Sequence, residues 1–256
     1  MKSQLLINRT FSATVILLML IGLTNCEISK GLKYLTQKKV EIYNYSNGTK
    51  SILFVSNHHM GKPRYYENLE AVIKCYKSKG YIVFYEGIRK SELTDSIMID
   101  LESRKFRKFL GFIPSSDNYD SLSNNFKLLK KFVIQPKKEE LGIDSSDIKV
   151  DISVTELIAE YEKNYWEITL DSIDINTPIN QNTKRTWNSS NFMKIAINYR
   201  NENLTKRILA LPQEKILIIY GADHRTGTYE ILKNSDTNWE KVSKDSFSKR
   251  KIKRLC

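Results

Sequence analysis

The stretch VEIYNYSNGTKSILFVSNHHMGKPRYYENLEAVIKCYKSKGYIVFYEG, Val40–Gly87, decides the fold. Val40–Tyr45 alternates in character, Ser46-Asn47-Gly48 is a turn signal, and Ser51–Ser56 is a continuous apolar run; together they read as a hairpin. Tyr65, Leu69, Val72, Ile73 and Tyr76 then recur at helical spacing, which predicts a helix from about Tyr65 to Ser78. Lys79 and Gly80 close it, with the glycine just past the C-cap. YIVFYEG, Tyr81–Gly87, is a second buried strand. Strand, helix and strand within about 40 residues form a βαβ unit, for which a parallel pair is expected.

Working outward, Ser96–Leu110 carries a helical pattern, and Phe132–Pro136 is a short strand stopped by proline. Ser153 stands three residues before Glu156, a capping-box pattern that opens a helix from about Val154 to Trp166. Residues 171–186 are polar and proline-bearing and read as loop. A long helical pattern runs from Trp187 to Leu209, punctuated by Pro212. KILIIYG, Lys215–Gly221, is the third buried strand, followed by a helix from about Thr226 to Lys233 and a weak last strand starting at Trp239. The expected architecture is an α/β domain over residues 40–245, a central mixed, mainly parallel sheet flanked by helices. A basic tail, residues 246–256, follows it.

Composition narrows the classes further. The chain has 256 residues, of which 41% are hydrophobic: too long for a disulfide-stapled miniprotein and too apolar for a disordered chain. One apolar run approaches membrane length, which excludes a polytopic membrane protein. That run is TVILLMLIGL, Thr14–Leu23, preceded by Lys2 and Arg9 and ended by LTNC at Cys26. It resembles a lipobox, in which residues 1–25 are a signal peptide, Cys26 carries the lipid and residues 26–39 are a tether. An uncleaved anchor helix and a cleaved secretory signal are the alternatives. All three place the domain outside the cytoplasm, and the lipoprotein reading places it on the bacterial cell envelope.

The formal net charge is +12, and loss of residues 1–25 removes two basic residues and no acid, leaving +10. Export argues against nucleic acid as the partner of this charge. The tail SKRKIKRLC, Ser248–Cys256, reads as a solvated, frayed terminus, with an anionic membrane surface as the alternative. Of three cysteines, Cys26 is assigned to lipid; a bridge between Cys75 and Cys256 is compatible with the sequence but not implied by it.

Ligands of open α/β sheets bind outside the carboxyl ends of the strands. Those places here are Ser56–Gly61, Glu86–Gly87 and Gly221–Arg225, and they hold all three histidines, His58, His59 and His224. Successive side chains of an extended segment point to opposite faces, so one of His58 and His59 faces the site. Glu86 ends its strand in apolar company and needs a cation or a donor. Two histidines and a carboxylate at one crevice are a candidate set of metal ligands; a polar cluster tying strand ends together is the plainer reading.

The sequence VSNHHMGKPRYYENLEAVI, Val55–Ile73, followed by YIVFYEG, resembles the opening of the TraB/PrgY, GumN and Tiki family. NYRNENLTKRI, Asn198–Ile208, resembles that family's Arg-Asn motif on a helix, and YGADHRTGTYEIL, Tyr220–Leu232, its second GxxH motif. The segment Val133–Leu157 is similar to the family's middle section, where an aspartate precedes a helix. The order and spacing of the pieces agree over roughly residues 50–235. The resemblance implies a fold related to the erythromycin-esterase (EreA) and ChaN-like proteins and a membrane-tethered metal-dependent hydrolase, a peptidase in the Tiki members.

By matched position, His59 and His224 are the motif histidines and Glu86 the motif glutamate. Arg200 and Asn201 are the Arg-Asn pair, and Asp151 is the middle aspartate. The resemblance thus implies a divalent metal ion on His59, His224 and Glu86, with Glu86 as ligand or base. Arg200 would sit over the developing charge or clamp a carboxylate of the substrate, a peptide or protein, with pairing to a structural acid such as Asp151 as the alternative. Asn201 would lie near the substrate or orient the arginine, and Tyr66 would donate to the substrate, with a packed aromatic as the plainer reading. Two positions depart from the pattern: Ser56 stands for a glycine and Leu204 for a methionine. The alternatives are capture of haem or iron, by analogy with ChaN-like proteins, and a non-catalytic signalling lipoprotein.

Overall fold

The computed structural model describes residues 36–110, 131–181, 183 and 190–256. The signal segment, Cys26, most of the tether and the first turn of the helix expected at Trp187 lie outside the described residues. Within them the chain forms a six-stranded sheet flanked by helices.

The first elements follow the sequence closely. Strand β1 (Val40–Ser46) pairs antiparallel with β2 (Ser51–Asn57), with Ser46 opposite Ser51 at the turn. A two-residue strand β3 (Met60–Gly61) follows, then helix α1 (Pro63–Ser78), which begins with proline at its first position. Gly80 closes α1 with φ +82°: its N–H donates to Lys77 O and the Tyr81 N–H to Tyr76 O. Those two bonds satisfy orphan carbonyls of the last turn, and only glycine takes that backbone without strain. Strand β4 (Ile82–Tyr85) then returns into the sheet.

The middle supplies α2 (Ser96–Leu110), β5 (Val133–Ile134), β6 (Ile148–Lys149), α3 (Val154–Asn164) and α4 (Ser172–Asn176). The capping box at α3 forms as expected: Ser153 Oγ accepts from Glu156 N, and Glu156 Oε2 accepts from Ser153 N. The stretch read as loop contains α4, which carries a box of its own from Asp171 and Asp174. Helix α5 (Ser190–Ala210), strand β7 (Lys215–Gly221), helix α6 (His224–Ser235), strand β8 (Glu240–Phe247) and helix α7 (Lys249–Leu255) complete the chain.

The sheet order is β6-β4-β7-β2-β1-β8. Pairings β6–β4, β4–β7 and β7–β2 are parallel, and β2–β1 and β1–β8 antiparallel. Strands β2 and β4 are therefore both parallel members of the sheet but not neighbours: β7 lies between them. Along β2, Leu53 and Val55 join one core and Ile52 and Phe54 the other; along β7, Leu217 and Ile219 face one side and Ile216, Ile218 and Tyr220 the opposite. This two-residue alternation within continuous apolar runs is what a sheet covered on both faces requires. Helix α1 covers the first face; Leu204 and Ile208 of α5 and Leu232 of α6 cover the second. Truncating a fully buried residue such as Ile218 would remove about 2–5 kcal/mol.

The C-terminal end corrects the sequence reading. The weak strand after Trp239 is eight residues long and pairs along the whole of β1. The basic tail is not frayed but helical: α7 packs on α1, buries Ile252, and is pinned by a disulfide between Cys75 and Cys256. Charge dominates the sequence of this segment and hides its two anchoring residues.

Candidate active site

Four chain segments meet at the carboxyl ends of the parallel strands. Glu86 directly follows β4, Asp151 follows β6, His224 opens α6 just after β7, and Arg200 and Asn201 project from α5. Helix α5 reaches this rim because a stripe at helical spacing, Ala196, Arg200, Leu204 and Ile208 with Asn201 and Thr205 beside it, is buried against the sheet. Asn203 Nδ2 adds a hydrogen bond to Val150 O at 2.6 Å, fixing the helix over β6.

Arg200 organises the cluster. Its Nε and Nη2 donate to the two oxygens of Asp151 at 2.9 and 2.6 Å, a bidentate fork. Nη2 also donates to Glu86 Oε1 at 2.7 Å, and Nη1 lies 3.2 Å from His224 Nε2. Asp151 is 1% exposed and takes two backbone bonds besides, from Gly87 N and Ile152 N, each at 2.9 Å. Gly87 has φ +150°, an orientation that lets the chain aim its N–H back at that carboxylate. Burial alone would push the Asp151 carboxyl up; the hydrogen bonds and charge of Arg200, with the Gly87 N–H, reverse this and hold it below the usual range. The same partners outweigh burial for Arg200, whose guanidinium is held even more firmly charged.

Glu86 Oε2 accepts from Gly221 N at 2.6 Å, locking β4 to β7. The cluster therefore holds two carboxylates on one guanidinium, with a net charge of −1 when His224 is neutral. His224 is neutral at pH 7: burial first, and then the charge of Arg200, push its imidazole down to about 4. Its Nδ1 lies 2.7 Å from Asn201 Oδ1, and Thr228 Oγ1 lies 3.4 Å from the same oxygen. A carbonyl oxygen only accepts, so Nδ1 carries the proton and Nε2 the lone pair, which Arg200 Nη1 meets. The ring packs edge-on to Tyr220 at 4.8 Å.

The structure thus brings together Glu86, Arg200, Asn201 and His224, with Asp151, from the expected set. Tyr66 lies apart from them, and His59 lies at the margin, where its charge still acts on His224. Tyr66 is 3% exposed, sits in the core beside Tyr65, and spends its hydroxyl on His58 O at 2.8 Å, so it holds the turn after β2 rather than facing a substrate. His59 is exposed, and its carbonyl accepts from Gln135 N. The His58 ring lies against Tyr65, 5.1 Å between centroids. Ser56, in place of a motif glycine, is an ordinary buried strand residue; no non-glycine residue has positive φ among those described, so glycine is not required there. Leu204 is fully buried and fills its place. Sequence reasoning missed Arg89, whose Nε donates to Asp151 O and whose Nη2 donates to Glu156, bracing the segment that carries Asp151.

Among the described residues no three His, Cys, Asp or Glu side chains are grouped to hold a metal ion. His224 Nε2 and Glu86 Oε1 stand 4.0 Å apart, but the Arg200 guanidinium already spans them, with its other edge on Asp151. In this arrangement the Arg200 guanidinium stands between the two candidate ligands His224 and Glu86. No helix of the described residues is long and apolar enough to cross a membrane.

No family model, curated protein or solved structure matches this chain.

Proposed function

We propose that this is an extracytoplasmic hydrolase, tethered through lipid on Cys26, in which His224 Nε2 takes a proton from water at the Arg200–Glu86 rim. The observation that carries the reading is the pair of contacts on one imidazole: Asn201 Oδ1 on Nδ1 and Arg200 Nη1 on Nε2, at 2.7 and 3.2 Å. The first fixes the tautomer that leaves a basic nitrogen at the strand ends; the second is a cation placed where negative charge develops. A substrate carbonyl oxygen that takes the Nη1 hydrogen bond releases Nε2 to act on water. Glu86 Oε1, 4.0 Å from Nε2, then stabilises the imidazolium that forms. Asp151 never faces the reaction; it keeps the guanidinium in place.

The resemblance to the TraB/PrgY, GumN and Tiki family, and to the erythromycin-esterase group beyond it, supports an amide or ester substrate, with a peptide or protein as the first choice. Export argues against nucleic acid. The lipobox-like LTNC at Leu23–Cys26 supports the anchor.

The test is cleavage of a peptide library by the purified chain, with and without chelator, beside His224→Gln and Arg200→Lys. Turnover that resists chelation and falls about 10²–10⁴-fold in His224→Gln is the expected result. Turnover abolished by chelation would instead favour metal-dependent chemistry, which needs Arg200 to leave Glu86 and His224. Tight haem binding without turnover would favour capture. Labelling with a fatty acid, lost in Cys26→Ser, tests the anchor.

A further inference from the structure

The basic residues at the C-terminus and the point where the chain departs toward Cys26 lie on one end of the molecule. Asn68 of α1 ties the two together: its Nδ2 donates to Lys38 O at 2.6 Å, and its Oδ1 accepts from Lys249 N at 2.6 Å. The β1–β8 ladder repeats the juxtaposition, with Val40 opposite Phe247. From Thr36 back to Cys26 is ten residues, a reach of at most about 35 Å. This end carries Lys38, Lys39, Lys249, Arg250, Lys251, Lys253 and Arg254, all exposed. Of these, Lys251 is ion-paired, with Asp245 at 3.0 Å.

Helix α7 is held against its own electrostatics. Five of its seven residues are basic and none is acidic. Lys249 and Lys253, and Arg250 and Arg254, are four apart and repel; three of the cations also stand in the first turn, at the positive end of the helix dipole. An isolated helix this short does not form. It is kept by Ile252 in the core, by the Ser248 cap and by the disulfide at Cys256. Ile252 points inward, so Arg250 and Arg254, two positions to either side, point directly outward and Lys251 and Lys253 flank them.

We propose that this end is a docking surface for an anionic lipid bilayer, the fold presenting α7 and Lys38–Lys39 as a fixed cationic plate beside the anchor. Lipid on Cys26 brings this end to the membrane, and a basic patch beside it is drawn to anionic headgroups. The bilayer supplies the counter-charge that the first turn of α7 lacks, and it sets which way the domain faces. The proposal rests on the anchoring part of the function proposed above, not on its chemistry, and its test needs neither turnover nor lipidation.

The experiment compares the purified full chain with a variant carrying Lys249→Glu, Arg250→Glu, Lys253→Glu and Arg254→Glu, which leaves Ile252 and Cys256 intact. Co-sedimentation is measured with phosphatidylcholine vesicles and with vesicles containing one-third phosphatidylglycerol. Residues 1–35 are common to both proteins, so the excess on anionic vesicles reads the plate. The expected result is an excess that falls with salt and drops at least about a hundredfold in the variant at low salt. An equal excess in both proteins, no excess in wild type, or equal binding to a soluble polyphosphate of the same charge concentration would overturn it. Lys38→Gln with Lys39→Gln, outside α7, lowers the same excess and guards against a variant that misfolds.

Discussion

Asn201 Oδ1 lies 2.7 Å from His224 Nδ1, and this single contact decides which imidazole nitrogen is basic. At pH 7, ¹⁵N spectra of His224 are expected to show the neutral, Nδ1-protonated tautomer. Asn201→Ala removes the acceptor and releases the tautomer choice, so a mixed spectrum is expected. A wild-type ring protonated at Nε2 would contradict the arrangement.

Removing Arg200 leaves Asp151, 1% exposed, as an unpaired buried carboxylate. Arg200→Ala is therefore expected to destabilise by about 3–5 kcal/mol in urea unfolding. Asp151→Asn added to Arg200→Ala should recover part of that loss, because the stranded charge is gone. Full additivity of the two would count against a shared pair.

Two histidines make stability fall with acid. His58, half-buried beside His59, and His224, buried beside Arg200, are both lowered to about 4 from the ordinary 6.5, in each case by loss of solvent first. Between those values the unfolded chain binds protons that the folded chain does not, so stability rises with pH there. Their contribution is complete above about pH 6.5 and is lost as pH falls toward 4, with a slope of up to about 2.7 kcal/mol per pH unit for two protons. Asp151, shifted downward, adds a further loss at still lower pH as it protonates. Melting curves from pH 7.5 to 4 should show the decline, shallower in His58→Gln; a flat profile would be inconsistent with buried neutral rings.

Gly227 lies inside α6, where alanine would ordinarily gain about 1 kcal/mol of helix stability. A Cβ there would overlap Asn201 Nδ2, so Gly227→Ala is expected to destabilise by about 1–3 kcal/mol and to disturb the His224 spectrum. Gly221→Ala meets Glu86 Oε2 at 3.3 Å and His224 Cδ2 at 3.4 Å, and its effect should be milder. Net stabilisation by Gly227→Ala would show that Asn201 is not packed against the glycine.

The Cys75–Cys256 bond closes a separation of 181 residues. Cys256→Ser, or reduction, is expected to lower stability by about 2–5 kcal/mol and to release α7 to proteolysis. Peptide mapping before reduction should recover the linked pair, and two free thiols would refute it.

The strands were legible because apolar runs long enough to be buried on both faces can be little else here: Ser51–Ser56, Ile82–Tyr85 and Lys215–Gly221 all lie in the sheet. The Ser153–Glu156 box was legible because capping is local chemistry. Spatial order was not: nothing in the sequence places β7 between β2 and β4. The pairing of Arg200 with Asp151 was one of two readings of that helix; that the same guanidinium also serves Glu86 and His224 was not legible, because a buried helix face carrying Arg200, Asn201 and Thr205 has no apolar signature. His59 matched a motif by position and is exposed, while Tyr66 took the packed-aromatic reading, buried in the core.

The place of β7 bears on how the chain is made. Strands β2 and β4 leave the ribosome long before Lys215–Gly221, their common neighbour, is available. Until then each offers an open, apolar edge of the kind that associates with other chains. Closure of the sheet and delivery of His224 to Glu86 are thus one late event, so a truncated or stalled product would be at once sticky and inert, and a holding chaperone would act in the interval before the last forty residues arrive.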